Sequence, residues 1–206
     1  MNNRIRQILD QINALEDELK TAVEAQQERL HYKIEGTRIT FEQTVSAAHL
    51  KARVSIVRWF LTVRPQNYFT APIIYGMIVP LALFDLSISF YQRTCFPIYG
   101  VARVRRANYI VFDHQHLAYL NIIEKLDCIY CSYAVGLLAY AGEITARTEQ
   151  YFCPIKHARK ILGEHARYAN FLGYGDAEDF HDRLEKFRAE LAVEAAEKNR
   201  NSKTRS

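Results

Sequence analysis

The residue types best suited to chemistry are four cysteines, Cys95, Cys128, Cys131 and Cys153, with His157 one helical turn beyond the last. Four thiolates, or three with an imidazole, form the soft tetrahedral set that holds a zinc ion or an iron–sulfur cluster. Cys95, Cys128, Cys131, Cys153 and His157 are therefore the candidate metal ligands. Their spacing is loose for such a site, because Cys128 and Cys131 form the single C-x-x-C pair. Ser132 follows Cys131, so covalent c-type haem attachment is not indicated, and a thioredoxin-like role would need a βαβ context. The competing role is packing, since a free cysteine behaves as a small hydrophobe. In a reducing cytoplasm disulfides are not expected, whereas outside it they are.

If the segment from Asp113 to Tyr151 is one helix, Asp113, His114, Glu124, Cys128, Cys131, Glu149 and Cys153 fall within a sector about 100° wide. Leu117, Asn121, Val135, Gly142 and Ala146 share that sector, so it reads as a packing seam with ligand-type residues embedded in it. A carboxylate-bridged di-metal site is disfavoured. Glu124, Glu143, Glu149, His114, His116, His157 and His165 do not form the Glu-x-x-His pairs that such bundles use. Nucleotide and nucleophilic chemistry is excluded at the level of motifs. The chain has no G-x-x-x-x-G-K-[ST], G-x-G-x-x-G, G-x-S-x-G or H-E-x-x-H, and Gly173-Tyr174-Gly175 reads as a helix stop. No set of catalytic residues emerges.

The elements that must position these residues are predicted to be helices. The N-terminus does not read as a cleaved export signal, because charged and apolar residues alternate from Met1 to Lys20. Ile5, Ile8, Ile12, Leu15, Leu19 and Ala22 instead recur at intervals of three and four, the seam of a short coiled-coil-like arm suited to self-association. Leu30, Ile34, Phe41 and Val45 continue a looser helical period past Gly36. From Leu50 to Arg64, Lys51, Arg53, Arg58 and Arg64 interleave with Val54, Ile56, Trp59 and Phe60, a basic amphipathic pattern fit for a lipid headgroup layer.

From Ala71 to Gln92 Asp85 is the single charge, and about 20 apolar residues suffice to cross a bilayer. Tyr68, Phe69, Phe90 and Tyr91 sit at its ends like an aromatic belt. Asp85 is costly there unless it is paired, and Pro72 and Pro80 interrupt the helical ladder, which points to a kinked or re-entrant segment. Basic residues flank both ends, so orientation is a tie under the positive-inside rule.

Cys95 to Gly100 is a turn signal, Tyr109 to Phe112 a lone β-like run, and Asp113 the expected start of the long helix. A further helix is expected from Cys153 to about Leu172. From Asp176 to Lys198, Phe180, Leu184, Phe187, Leu191 and Ala195 mark an amphipathic helix whose narrow stripe needs a partner, either the N-terminal arm or another subunit.

The predicted fold is thus all-α: a coiled-coil-like arm (1–49), a basic interfacial segment (50–69), one membrane segment (70–92), a Cys/His/Tyr-rich helical bundle (93–175), an amphipathic helix (176–198) and a disordered tail (199–206). The net charge of +4 is mixed along the chain and forms no nucleic-acid stripe. The expected partners are membrane lipid and a second copy or helical partner protein, with the Cys-rich region on the cytoplasmic side. The expected function is a non-catalytic, membrane-anchored assembly or scaffold protein with room for a structural metal. One alternative is a membrane-bound redox protein or enzyme holding zinc or an iron–sulfur cluster, with Asp113, His114 or Glu124 handling protons. Another is a transporter or channel accessory subunit, suggested by Asp85.

Overall fold

The computed structural model describes residues 43–203 throughout, strands at 32–35 and 38–41, and part of the chain between 11 and 26. The chain is mostly helical, as expected. It divides into two compact units, residues 1–63 with 113–129, and residues 64–112 with 130–206.

In the first unit the described part of the arm is helical, with Leu15 and Leu19 exposed. Ile5, Ile8 and Ile12 of the predicted seam lie outside the described residues. The helical period expected past Gly36 is replaced by an antiparallel hairpin, β1 (Tyr32–Glu35) with β2 (Arg38–Phe41), in which Glu35 pairs with Arg38. The reason is local. Apolar and polar residues alternate on either side of the two-residue Gly36–Thr37 connection, a hairpin signal stronger than the loose helical spacing. Helices α1 (Gln43–Ala52) and α2 (Ile56–Thr62) follow, the latter capped by Ser55, whose Oγ accepts from the Arg58 amide. The ring of His49 meets that of Tyr119 edge-on at 5.1 Å.

The second unit begins with α3 (Pro65–Gly76) and α4 (Ile78–Ile98), interrupted only at Met77. Pro65 is tolerated at the first position of α3, and Pro80 falls within the first turn of α4. A proline ring clashes with the carbonyl four residues earlier, which for Pro80 is Gly76, and there the ladder breaks. Helix α4 runs on to Ile98, past the boundary expected at residue 92, because Arg93 and Thr94 continue its turns and Pro97 comes only in the last one.

The long helix α5 (Ile122–Phe152) starts nine residues later than expected from Asp113. Its start is set by a capping box. Asn121 Oδ1 accepts from the amides of Ile123 and Glu124, and Glu124 Oε2 accepts from the Asn121 amide at 2.8 Å. Asp113 and His114 therefore lie off the helix, in and beside a short 3-10 turn at His114–His116, so the predicted seam loses its first two members. Tyr109 to Phe112 is not a strand, because Tyr109 and Ile110 spend their backbone packing on α5 at Gly136.

The helix expected from Cys153 to Leu172 is also absent. Pro154 closes α5, Gly163 takes φ +77°, and Ile155 and Leu172 pair as an isolated parallel bridge around a 3-10 turn at Ala166–Asn170. Tertiary backbone pairing between Lys156, Pro154 and Leu172 outcompetes local helical bonding there. Helix α6 (Phe180–Lys203) includes Asn199 to Lys203, which were expected to be disordered. Its stripe is covered by its own chain: Leu191 joins Phe96, Leu137, Tyr140 and Ile144 in the main core, while Phe187 packs with Tyr168, Phe171 and Leu172.

Within this unit α4 and α5 run in the same direction. Tyr75 at the end of α3 meets Tyr130, Asp85 meets Tyr133, Gln92 meets Tyr140 and Tyr99 just past α4 meets Tyr151, so the two helical stretches advance together. A parallel pair requires the chain to return, and residues 99–112 do so as a connector that is extended at 101–105 and then turns through a 3-10 helix at Arg106–Asn108. Gln92 grips it with both ends of its amide, donating to the Val104 carbonyl and to Tyr140 Oη and accepting from the Val104 amide. A side chain at Gly136 would stand 2.6 Å from the Tyr109 carbonyl oxygen and 2.9 Å from Ile110 Cα, so only glycine admits this approach.

Candidate functional site

The exposure of α3 and α4 changes at one residue. From Pro65 to Phe84 the chain has no charge and no buried residue, and Phe69, Ile73, Leu83 and Val79 are more than half exposed. From Asp85 onward one face turns inward at helical spacing through Asp85, Gln92 and Phe96. The stretch Pro65–Ile98 is long and apolar enough to cross a membrane, with none of its most apolar window buried.

Asp85, 8% exposed, is fully engaged. Its carboxylate accepts from the Arg106 guanidinium on the connector, from Tyr133 Oη on α5 at 2.8 Å and from Ser89 Oγ one turn on. The guanidinium also lies 5.9 Å from the Tyr133 ring centre. Burial and the neighbouring carboxylate push the Tyr133 phenol above its ordinary value. The sequence shows that Asp85 needs a partner, but identifying Arg106 requires knowing that the connector doubles back.

A second polar cluster ties α5, the Ala166–Asn170 turn and α6. Glu143 accepts from Arg147 Nε at 2.8 Å and from Arg167 Nη2 at 3.0 Å, and Glu194 accepts from the same two arginines. Arg167 also donates to Gln150 Oε1, and Arg147 to the Ala102 carbonyl of the connector. Burial pulls the Arg167 guanidinium down, but Glu143 and Glu194 outweigh it and hold it above its ordinary value. The cleft beside this lattice, bounded by Gln150, Arg167, Asn170 and Phe187, has a volume of about 190 Å³. Small-molecule sites usually need roughly 300 Å³ or more, and both arginines are committed to carboxylates, so the lattice is structural. The i,i+4 pair Glu143–Arg147 is legible in the sequence; Arg167 and Glu194 are not.

The predicted metal ligands are dispersed. Cys95 is half-buried on α4 beside Thr94, Cys128 and Cys131 share a turn of α5, Cys153 is exposed just past its end, and His157 is exposed with its ring stacked 6.2 Å from Tyr168. None of the four cysteines forms a disulfide. On a continuous helix, Cys131 and Cys153 stand roughly 33 Å apart, far beyond a shared metal's reach of ~2.3 Å per sulfur. Among the described residues no three His, Cys, Asp or Glu side chains gather as a metal site. His165, in contrast, is built in. Its Nδ1 accepts from the Tyr168 amide, so Nε2 carries the proton and donates to Glu149 at 2.9 Å.

No family model, curated protein or solved structure matches the chain.

Proposed function

We propose that this protein is a membrane-anchored, non-catalytic helical assembly or scaffold protein. The observation that carries the reading is the uncharged, unburied run from Pro65 to Phe84. Twenty residues of helix are about 30 Å long, the thickness of a hydrocarbon core. A soluble core helix of this composition would bury one face, whereas this one has no buried residue and meets the core through the partly buried Leu81 near its end. The anchor is then slightly earlier than residues 70–92, and Asp85 with its Arg106, Tyr133 and Ser89 partners sits at the membrane boundary, where a paired charge is tolerated. Assembly falls to the N-terminal arm, where Leu15 and Leu19 are exposed at heptad spacing, since the stripe of α6 is already used internally. The helical unit bearing Cys131 and Cys153 is assigned to the cytoplasmic side.

Alkaline carbonate extraction of native membranes tests the anchor: the protein should stay in the pellet and be released only by detergent. Recovery in the aqueous supernatant as a defined oligomer would instead mean that a second copy covers the apolar run, and the anchor would be rejected.

A further inference from the structure

The connector that returns along α4 carries, besides the paired Arg106, positive charge that meets no carboxylate in an ion pair among the described residues. Ala102 and Val104 are buried, whereas Arg103 and Arg105 are exposed, as an extended segment alternating its side chains requires. Arg93 is exposed on α4, one residue past the Gln92 that grips the connector. None of these three guanidinium groups has an ion pair among the described residues, while Arg106 next to them is held by Asp85. Glu143 and Glu194 pair instead with Arg147 and Arg167. Lys198 pins the connector through the Arg103 carbonyl at 2.6 Å, and burial, with Arg147 and Arg105 beside it, holds its ammonium below the ordinary value against the pull of Glu194 and Glu143.

We propose that Arg103 and Arg105, with Arg93, form a docking ridge for the headgroups of anionic phospholipids at the end of the apolar run. This rests on the membrane-anchored reading. The position argues for lipid over a protein partner. The connector lies against α4 at the level of Asp85 and Gln92, immediately beyond the last fully exposed apolar turn, where a headgroup layer would begin. Guanidinium groups suit it, because a planar fork donates two parallel bonds to a phosphate.

Native mass spectrometry of the full-length protein, released from detergent after incubation with equal amounts of phosphatidylglycerol and phosphatidylcholine, reads the preference directly. The wild type should retain phosphatidylglycerol selectively. Arg103→Gln/Arg105→Gln should lose about fivefold of that selectivity per arginine, the factor corresponding to ~1 kcal/mol for each basic residue near an anionic surface. Arg103→Lys/Arg105→Lys should keep most of it, and Arg159→Gln/Lys160→Gln, with the same loss of charge in another exposed segment, should leave it unchanged. Equal retention of the two lipids by the wild type, or an unaltered preference in the double glutamine variant, overturns the ridge while leaving the anchor standing. Release from native membranes by carbonate removes the anchor and the ridge together.

Discussion

At the scale of single residues, the side chains that matter most are those that hold the connector and the core. Removing the Asp85 carboxylate leaves Arg106 and Tyr133 without their acceptor. A fully buried pair broken on one side costs about 3–5 kcal/mol, but the Arg106 side chain is 46% exposed and water screens it. Asp85→Asn should therefore lower stability by about 1–2 kcal/mol, and a double-mutant cycle with Arg106→Gln should show that most of this loss is shared. Gly136→Ala should cost about 1–3 kcal/mol, because the added methyl meets backbone, which cannot rotate away as a side chain would. Leu137 is fully inaccessible, and Leu137→Ala should cost about 2–5 kcal/mol by leaving a cavity. Thermal unfolding followed by circular dichroism in detergent measures all three. An undiminished melting temperature for Gly136→Ala would show that the connector does not pack where the structure has it.

At the scale of elements, the apolar run and the connector make separate predictions. Val79 is 61% exposed, and in a water-facing helix Val79→Lys would change stability by no more than about 0.5 kcal/mol. Within a bilayer the same substitution should cost about 2.5–3.5 kcal/mol of insertion, seen as a larger carbonate-soluble fraction. On the connector, burial raises the Tyr109 phenol above its ordinary value. The stability it contributes is intact below the unfolded value of about 10 and is lost as pH rises through the higher folded value, because the unfolded chain ionises first. Tyr109→Phe should flatten the loss of stability above pH ~10. Helix content was largely legible in the sequence because α4, α5 and α6 carry strong periodicity or long apolar runs. The capping box at Asn121 and the Gly36–Thr37 hairpin signal were equally present but stood next to competing patterns: the ligand-like seam in one case, a loose helical period in the other. The loop from Cys153 to Leu172 was not legible, since its bridge joins residues that are distant in the chain.

At the scale of the whole molecule, the exposed thiols report sidedness and the N-terminal arm reports assembly. Cys131 and Cys153 should react with a membrane-impermeant maleimide only after cells are broken, if the helical unit faces the cytoplasm. Labelling in intact cells would reverse the orientation. Deleting residues 1–31 should reduce the detergent-corrected mass in analytical ultracentrifugation to that of a monomer, and an unchanged oligomer would move assembly elsewhere. The candidate polar sites were only half legible at this scale. Asp85 announced a need and the Glu143–Arg147 pair is local, but Arg106, Arg167 and Glu194 reach their partners through chain reversals that no periodicity records.

Those reversals also set a schedule. Arg106 follows Asp85 by 21 residues and Tyr133 follows it by 48. At about 5–20 residues per second of synthesis, Asp85 leaves the ribosome roughly one to four seconds before its countercharge, and longer before its phenol donor. The apolar run must therefore commit to its environment while its aspartate is still bare. An acid at the end of that run, where water remains within reach, can wait; the same acid at its middle could not.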